Sequence, residues 1–485
     1  MSFYLIQISD GVVEAASLIV NEGSLTITAG ANNIRDSIRV NANGKLHIMQ
    51  GATSSRQVFV EGELNLMGGN LSITDSLSAR NGSMTLAGGN VACKNLMLHG
   101  SSAYLGSSGG LITVSDTLSV RGGTIVASGA QNIQVGRRLN LRSGMINISN
   151  PAAALEMSSP ANFEVLGGSA TSFVNGRMVH NVNSLSGQVA SATTITSIVG
   201  GNPVTVNRNA HGLQSGDKIS ISGVTAFPAV NGIWKVTVVN ANSFTLNNSN
   251  LLGSSGAVGS FTRFGRGING GTSGNPISIN LTGHGFTTGD VVHVEDVSAH
   301  PRANGTWPIE VIDANNFILV GSEGNGSSGA GQGTVTRLQT RRFPVGKGST
   351  YRPVDLHIAQ GFTTATAYSS EFIESAPPIL GFPGGIAGTP SYLGMVNDVV
   401  TSVANGRYFS INQSPANAVL SASVTLSYGA EEGFPANGRN KLTMLKDSVP
   451  HSEWVNVWGY AFDTLAPVRR IISNRNFTTF SNFIL

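Results

Sequence analysis

Two histidines, His211 and His284, each open a His-Gly-Leu/Phe segment and are followed six residues later by an aspartate, Asp217 or Asp290. Recurring histidines raise the question of a shared site or a set of metal ligands. The arrangement is duplicated, since 284 − 211 = 73, and the same shift relates Trp234 to Trp307 and Phe244 to Phe317. One catalytic centre does not need equivalent copies in separate units. His211, Asp217, Trp234, Phe244, His284, Asp290, Trp307 and Phe317 are therefore read as structural repeat positions. The histidines are expected to cap turns or hold hydrogen bonds, and the aspartates to accept backbone N–H groups within a turn. The tryptophans follow Asn-Gly turns and are expected to be core or staple residues rather than sugar-stacking platforms.

Other chemistry finds little support. A structural zinc needs four ligands, and a single cysteine with scattered histidines does not supply them. Oxygen ligands for Ca²⁺ occur near Glu295 and Asp296, without a recognisable binding-loop signature. Glycosidic hydrolysis needs two facing carboxylates. Among the acids of the first 165 residues, Glu61 and Glu63 would share one strand face, whereas Asp75 and Asp116 fall about two repeats apart. Cys93 lies on an apolar track and reads as a small core residue. No nucleophile elbow, P-loop or dinucleotide fingerprint occurs in a strand–turn–helix context. The expectation is a non-enzymatic chain without metal or cofactor.

The elements that carry these residues are strands. Charged residues make up only 11 % of the chain and Gly accounts for 61 of 485, while Ser, Thr and Asn abound. That composition favours short strands joined by tight turns. A hydrophobic content of 40 % is too high for general disorder. With 29 basic and 26 acidic residues, the chain lacks the clustered charge of a nucleic-acid sleeve. Nucleic-acid binding is not expected. No stretch is apolar enough to span a bilayer, and residues 1–20 lack the pattern of a secretory leader. The chain is thus expected either to be made in the cytosol and assembled, as virion proteins are, or to be numbered after a removed leader.

Over the first ~155 residues three apolar tracks recur. One runs Leu25/Ile27, Leu46/Ile48, Leu64/Leu66, Met84/Leu86, then Tyr104/Leu105, Ile125 and Ile146/Ile148. A second starts at Ile38, Val58, Leu77, Leu96, Leu118 and Leu139, with steps of 20, 19, 19, 22 and 21. A third starts at Leu71, Val91, Ile112 and Ile133, with steps of 20, 21 and 21. Alternation of period two marks a strand with one buried face. Three such strands per ~20 residues predict stacked coils sharing one core: a right-handed parallel β-helix with corners at Gly44, Gly62, Gly82 and Gly123. A β-sandwich in this region is the weaker reading.

The expected organisation is a β-helix over residues 1–165, a connector over 166–195 that begins a C-terminal sandwich, small β-barrel modules over 196–266 and 267–339, and a C-terminal β-sandwich over 340–485. The modules are predicted to meet at residues 265–274. The Gly/Ser-rich stretches 253–259 and 321–333 read as hairpin tips. The last region is richer in aromatics, with Trp454, Trp458, Phe477, Phe480 and Phe483.

The tandem units, with His-Gly-Leu/Phe-x-x-Gly-Asp, Asn-Gly-x-Trp and Asn/Asp-Ala-Asn…Phe, resemble a small β-module first named in the ubiquitin-activating enzyme, the first catalytic-cysteine half-domain. Similar modules serve as spacers in phage tail and bacterial surface proteins. The flanks resemble large extracellular surface and adhesin-like proteins of the Bacteroidota. That likeness rests on Gly-Ser-Ala-Thr-Ser-Phe-Val-Asn-Gly-Arg at 168–177, Phe-Pro-Val-Gly-Lys-Gly-x-x-Tyr-Arg-Pro-Val at 343–354, Gly-Arg-Tyr-Phe-Ser-Ile at 406–411 and Thr-Thr-Phe-Ser-Asn-Phe at 478–483. It implies a Gly/Asn-rich β-helix followed by a β-sandwich, with the modules inserted between Asn181 and Thr340. A sorting domain beyond Leu485, part of that family's usual arrangement, is not expected from this sequence.

The function expected is a structural or adhesive subunit of an extracellular or cell-surface assembly: a filament, appendage or adhesin, acting as rigid spacer and binding platform. Self-association is expected, because open strand edges at Met1, Ser2, Phe3 and Tyr4 would template other copies. A glycan or cell-surface receptor is the other expected partner; membrane insertion is not. The alternatives are a phage tail fibre or other virion protein, and a carbohydrate-active β-helix enzyme.

Overall fold

The computed structural model describes residues 5–8, 13–158, 163–182, 192–252, 256, 258–324, 328–329, 333–359, 366–376, 406–414, 422–429, 444–447, 454–457, 459–463, 469–473, 477 and 480–485. Residues 1–4, Trp458 and parts of the stretches 253–259 and 321–333 lie outside these. The described elements are strands, apart from the single 3₁₀ turns Pro228–Val230 and Pro301–Ala303.

The first part is a parallel β-helix of about eight turns. One coil is visible in Asn70–Arg80 and Ser83–Leu86. Leu71 and Ile73, then Leu77 and Ala79, then Met84 and Leu86 point inward, each at most 4 % exposed. Each side chain stands on its counterpart one coil away. Ile73, Cys93, Val114, Val135 and Met157 form one column, and Leu77, Leu96, Leu118 and Leu139 another. The third joins Leu46, Leu64, Met84, Leu105, Ile125 and Ile146. No coil could bury this surface alone, so stacking creates the core. At the turn between the second and third faces a Cβ on Gly82 would stand 2.5 Å from Val60 O of the coil beneath, so the corner requires glycine.

The β-helix does not stop near residue 165. Glu164–Gly167, Val174–Asn175 and Met178–Val182 form another coil on residues 138–141, 146–147 and 155–157. The expected connector is therefore largely helix, with Gly167, Gly168 and polar residues obscuring its apolar rhythm. Val174 then pairs, still in parallel, with Val345. The intervening residues leave the stack and return to it.

The stack changes character at its next layer. Thr366–Ile373 lies antiparallel on Met178–Val182 and continues through Tyr408–Ser414, Asn482–Ile484, Leu445–Asp447 and Trp454–Asn456. A second antiparallel sheet runs from residues 339–343 through Val354–Ile358, Ala422–Tyr428, Arg469–Ser473 and Gly459–Asp463. Leu356, Val424, Leu426 and Ile471 of one sheet share a core with Phe372, Phe409, Ile411 and Phe483 of the other. That core is continuous with the β-helix interior.

Between them lie the two 73-residue units, each closed by a strand that passes from one sheet to another, Gly232–Asn240 or Gly305–Val311. They are not beads on a joint. Residues 265–267, read from sequence as the junction, pair with residues 334–336 and weld the two units into one sheet. Thr334–Phe343 goes on to pair with Val291–Glu295 and Val354–Ile358, so one strand ties both units to the C-terminal sheets.

Candidate functional site

The duplicated residues sit at matching turns. His211 is 8 % exposed; its Nε2 donates to Asn240 O at 2.8 Å and its Nδ1 accepts the Leu213 N–H at 3.0 Å. His284 repeats this with Asp313 O at 2.9 Å and the Phe286 N–H at 2.9 Å. Facing a carbonyl on one side and an N–H on the other, each ring has both nitrogens occupied. Phe244 and Phe317, fully buried, meet these imidazoles edge-on at 5.2 and 5.3 Å.

Neither histidine bonds its neighbouring aspartate. Asp217, wholly buried, accepts the N–H groups of Gly267 at 2.8 Å and Gln214 at 3.0 Å and approaches Arg263 at 3.3 Å. Asp290 accepts the Thr287 N–H and the Arg337 guanidinium, both at 2.8 Å. Trp234 and Trp307 donate to Val230 O and Ala303 O at 2.9 and 2.8 Å, stapling the 3₁₀ turns. Trp307 is 1 % exposed and Trp234 half-buried, so neither offers an open stacking face. Glu295 and Asp296 are engaged by Lys218 and Lys235 of the other unit.

The acids of the β-helix are dispersed, and several are engaged by neighbouring side chains. Glu63 pairs with Lys45 at 2.8 Å, Asp75 accepts from Gln57 at 3.0 Å, and Arg137, at 2.5 Å, holds the Asp116 carboxyl below its usual range. Cys93 is 4 % exposed, and burial pushes its thiol up to about 12. Among the described residues no group of three or more His, Cys, Asp or Glu could hold a metal ion. No described helix is long and apolar enough to cross a membrane.

The densest buried chemistry lies where β-helix, units and sandwich meet. His180 is fully buried between Phe163 at 4.7 Å and Phe343 at 4.4 Å, with Nε2 3.0 Å from Arg342 O. Burial, with Arg341 nearby, lowers it to about 3. Arg341 lies 4.0 Å over the Phe163 ring and is itself lowered by burial to about 10. His357, also lowered to about 3 by burial, spans Thr340 at 2.9 Å and Thr425 at 2.8 Å. Burial raises the Asp355 carboxyl, with Arg342 and Arg470 pulling the other way.

Sequence reasoning did not single out this junction, whose members come from segments far apart. It also passed over Ser249 and Ser322. Their hydroxyls accept the N–H of Val204 and Ile277, each at 2.8 Å, and donate to Leu246 O and Leu319 O. The signal was present, since 322 − 249 = 73. Comparison with protein-family models, curated proteins and solved structures finds no match to this chain.

Proposed function

We propose that this chain is a structural or adhesive subunit of an extracellular or cell-surface assembly, acting as a rigid spacer and binding platform without enzymatic activity. The observation that carries the reading is the uninterrupted core: the column that includes Leu46 continues through Val174 to Val345 and merges with the terminal sheets. Such a rod resists bending, because any hinge would have to open a buried layer. The two units are joined to each other by a backbone ladder and the Lys218–Glu295 ion pair. The likeness of the flanks to Bacteroidota surface proteins fits the same role.

Self-association belongs to this reading, because an open strand edge would pair with another copy. Negative-stain imaging with light scattering tests it: elongated particles that form ordered oligomers or filaments are expected. A compact particle that stays monomeric at high concentration would overturn the assembly role, and saturable turnover of a polysaccharide would overturn the passive one.

A further inference from the structure

Along one corner of the β-helix, successive coils place Arg80, His99, Arg121 and Arg142 in a single file. Arg80 stacks on His99 and His99 on Arg121, while Arg142 precedes Ser143, the register partner of Arg121. The three arginines are exposed and His99 is half-exposed. Among the described residues none of the four side chains has an ion-pair or hydrogen-bond partner. Arg121 and Arg142 are like charges on adjacent coils about 4.8 Å apart, and Arg80 stands two coils from Arg121. Burial, with Arg121 and Arg80 nearby, lowers the pKa of His99 between them. The run is held without a compensating acid, an arrangement a fold does not need for its own stability. Glu61 occupies the same file one coil before Arg80 and ends the basic run.

The opposite corner differs. There Arg35, Asp36, Arg56, Asp75, Lys94, Asp116 and Arg137 mix signs, and Arg137 and Asp116 pair directly. The basic file is thus a local segregation of charge in a chain of net charge only +3.

We propose that Arg80, His99, Arg121 and Arg142 form a binding track for a linear acidic polysaccharide bearing carboxylate or sulfate groups. The coil repeat is close to the length of one pyranose unit in an extended chain, so successive sugar anions meet successive coils. The neighbouring row at these coils is Ser78, Met97, Ser119 and Asn140; Ser119 is buried, and the half-buried Ser78 and Asn140 offer a hydroxyl and an amide that suit a polyol. Single-stranded nucleic acid would want aromatic platforms for its bases, and this row supplies none. The inference deepens the platform reading above by naming what the platform holds.

The test is binding of the full chain to polygalacturonate, heparin, neutral dextran and single-stranded DNA by biolayer interferometry across a salt series. Polygalacturonate or heparin should bind, the better of them marking carboxylate or sulfate as the preferred source, and affinity should fall with salt. Dextran should not bind. The triple variant R80S/R121S/R142S should weaken binding at least tenfold. The triple variant R35S/R56S/K94S, with the same charge removed from the opposite corner, should stay within twofold of the parent. Equal losses in both triples, no binding to either acidic glycan, or tighter binding of DNA would each overturn the proposal. Imaging of the same variants separates the two readings, because the rod and its assembly do not depend on this file.

Discussion

The corner glycines make the coil spacing testable at a single atom. In Gly82→Ala the new Cβ would stand 2.5 Å from Val60 O, 2.8 Å from Val60 C and 3.0 Å from Glu61 C, all main-chain atoms of the preceding coil. No side chain can swing aside to admit it. Restoring an ordinary contact of about 3.5 Å requires the layers to part locally by about 1 Å. That stretches the bond from Ser83 N to Gly62 O, now 2.8 Å, beyond useful range. The lost bond is worth about 1 kcal/mol and overpacking adds about 2, giving about 3 kcal/mol. Native-state hydrogen exchange should then show the open population of residues 83–86 rising roughly a hundredfold. Gly270→Ala is the control: nothing lies within 4 Å of its Cβ and its φ is not positive, so it should shift stability by less than about 1 kcal/mol. If Gly82→Ala exchanges no faster than the Gly270→Ala control, the coil contacts are not as described.

Further outcomes follow from the buried polar groups. Asp217→Ala strips the Gly267 and Gln214 N–H groups and Arg263 of their acceptor, and should destabilise the joined units by about 3 kcal/mol in thermal unfolding. Asp290→Ala loses one backbone contact and one arginine and should cost less. Both His180 and His357 are neutral in the fold, near 3 against an ordinary 6.5. The unfolded chain therefore binds more protons as pH falls. Stability should be intact above about pH 6.5 and drop by about 1.4 kcal/mol per pH unit for each ring down toward pH 3. In urea melts His357→Gln should remove one ring's share of that slope. Cys93 should resist iodoacetamide at pH 8 in the native protein and react only on unfolding, because its buried thiol does not ionise there.

The β-helix was legible because inward side chains must alternate and because each coil repeats the last within a few residues. The starts of the second and third tracks, Ile38 through Leu139 and Leu71 through Ile133, all point inward. The reading slipped at Tyr104/Leu105, where the inward pair is Leu105 and Ser107: a hydroxyl fills an apolar slot by donating to Gly110 O at 2.6 Å. It also lost the last coil, whose glycines carry no pattern. The 73-residue duplication located the histidines, aspartates and tryptophans, because a fixed shift survives substitution. The fusion of the two units was hidden, since Gly265 and Gly267 have no side chains to betray a strand. The junction of His180, Arg341, Arg342 and Asp355, and the pairing of Val174 with Val345, depend on contacts across the inserted units that no local periodicity encodes. The Arg80–Arg142 file becomes visible only once the coil register is known.

The most direct measurement is a series of spin-label distances along one outward column. Ser24, Lys45, Glu63, Ser83, Tyr104, Thr124 and Met145 are register partners coil by coil. Labels at Ser24→Cys paired in turn with Tyr104→Cys, Thr124→Cys and Met145→Cys lie four, five and six coils apart. At about 4.8 Å per coil the distances should be near 19, 24 and 29 Å, with narrow distributions. Distances that fail to rise in equal steps, or broad distributions, would contradict a stiff stack of parallel coils.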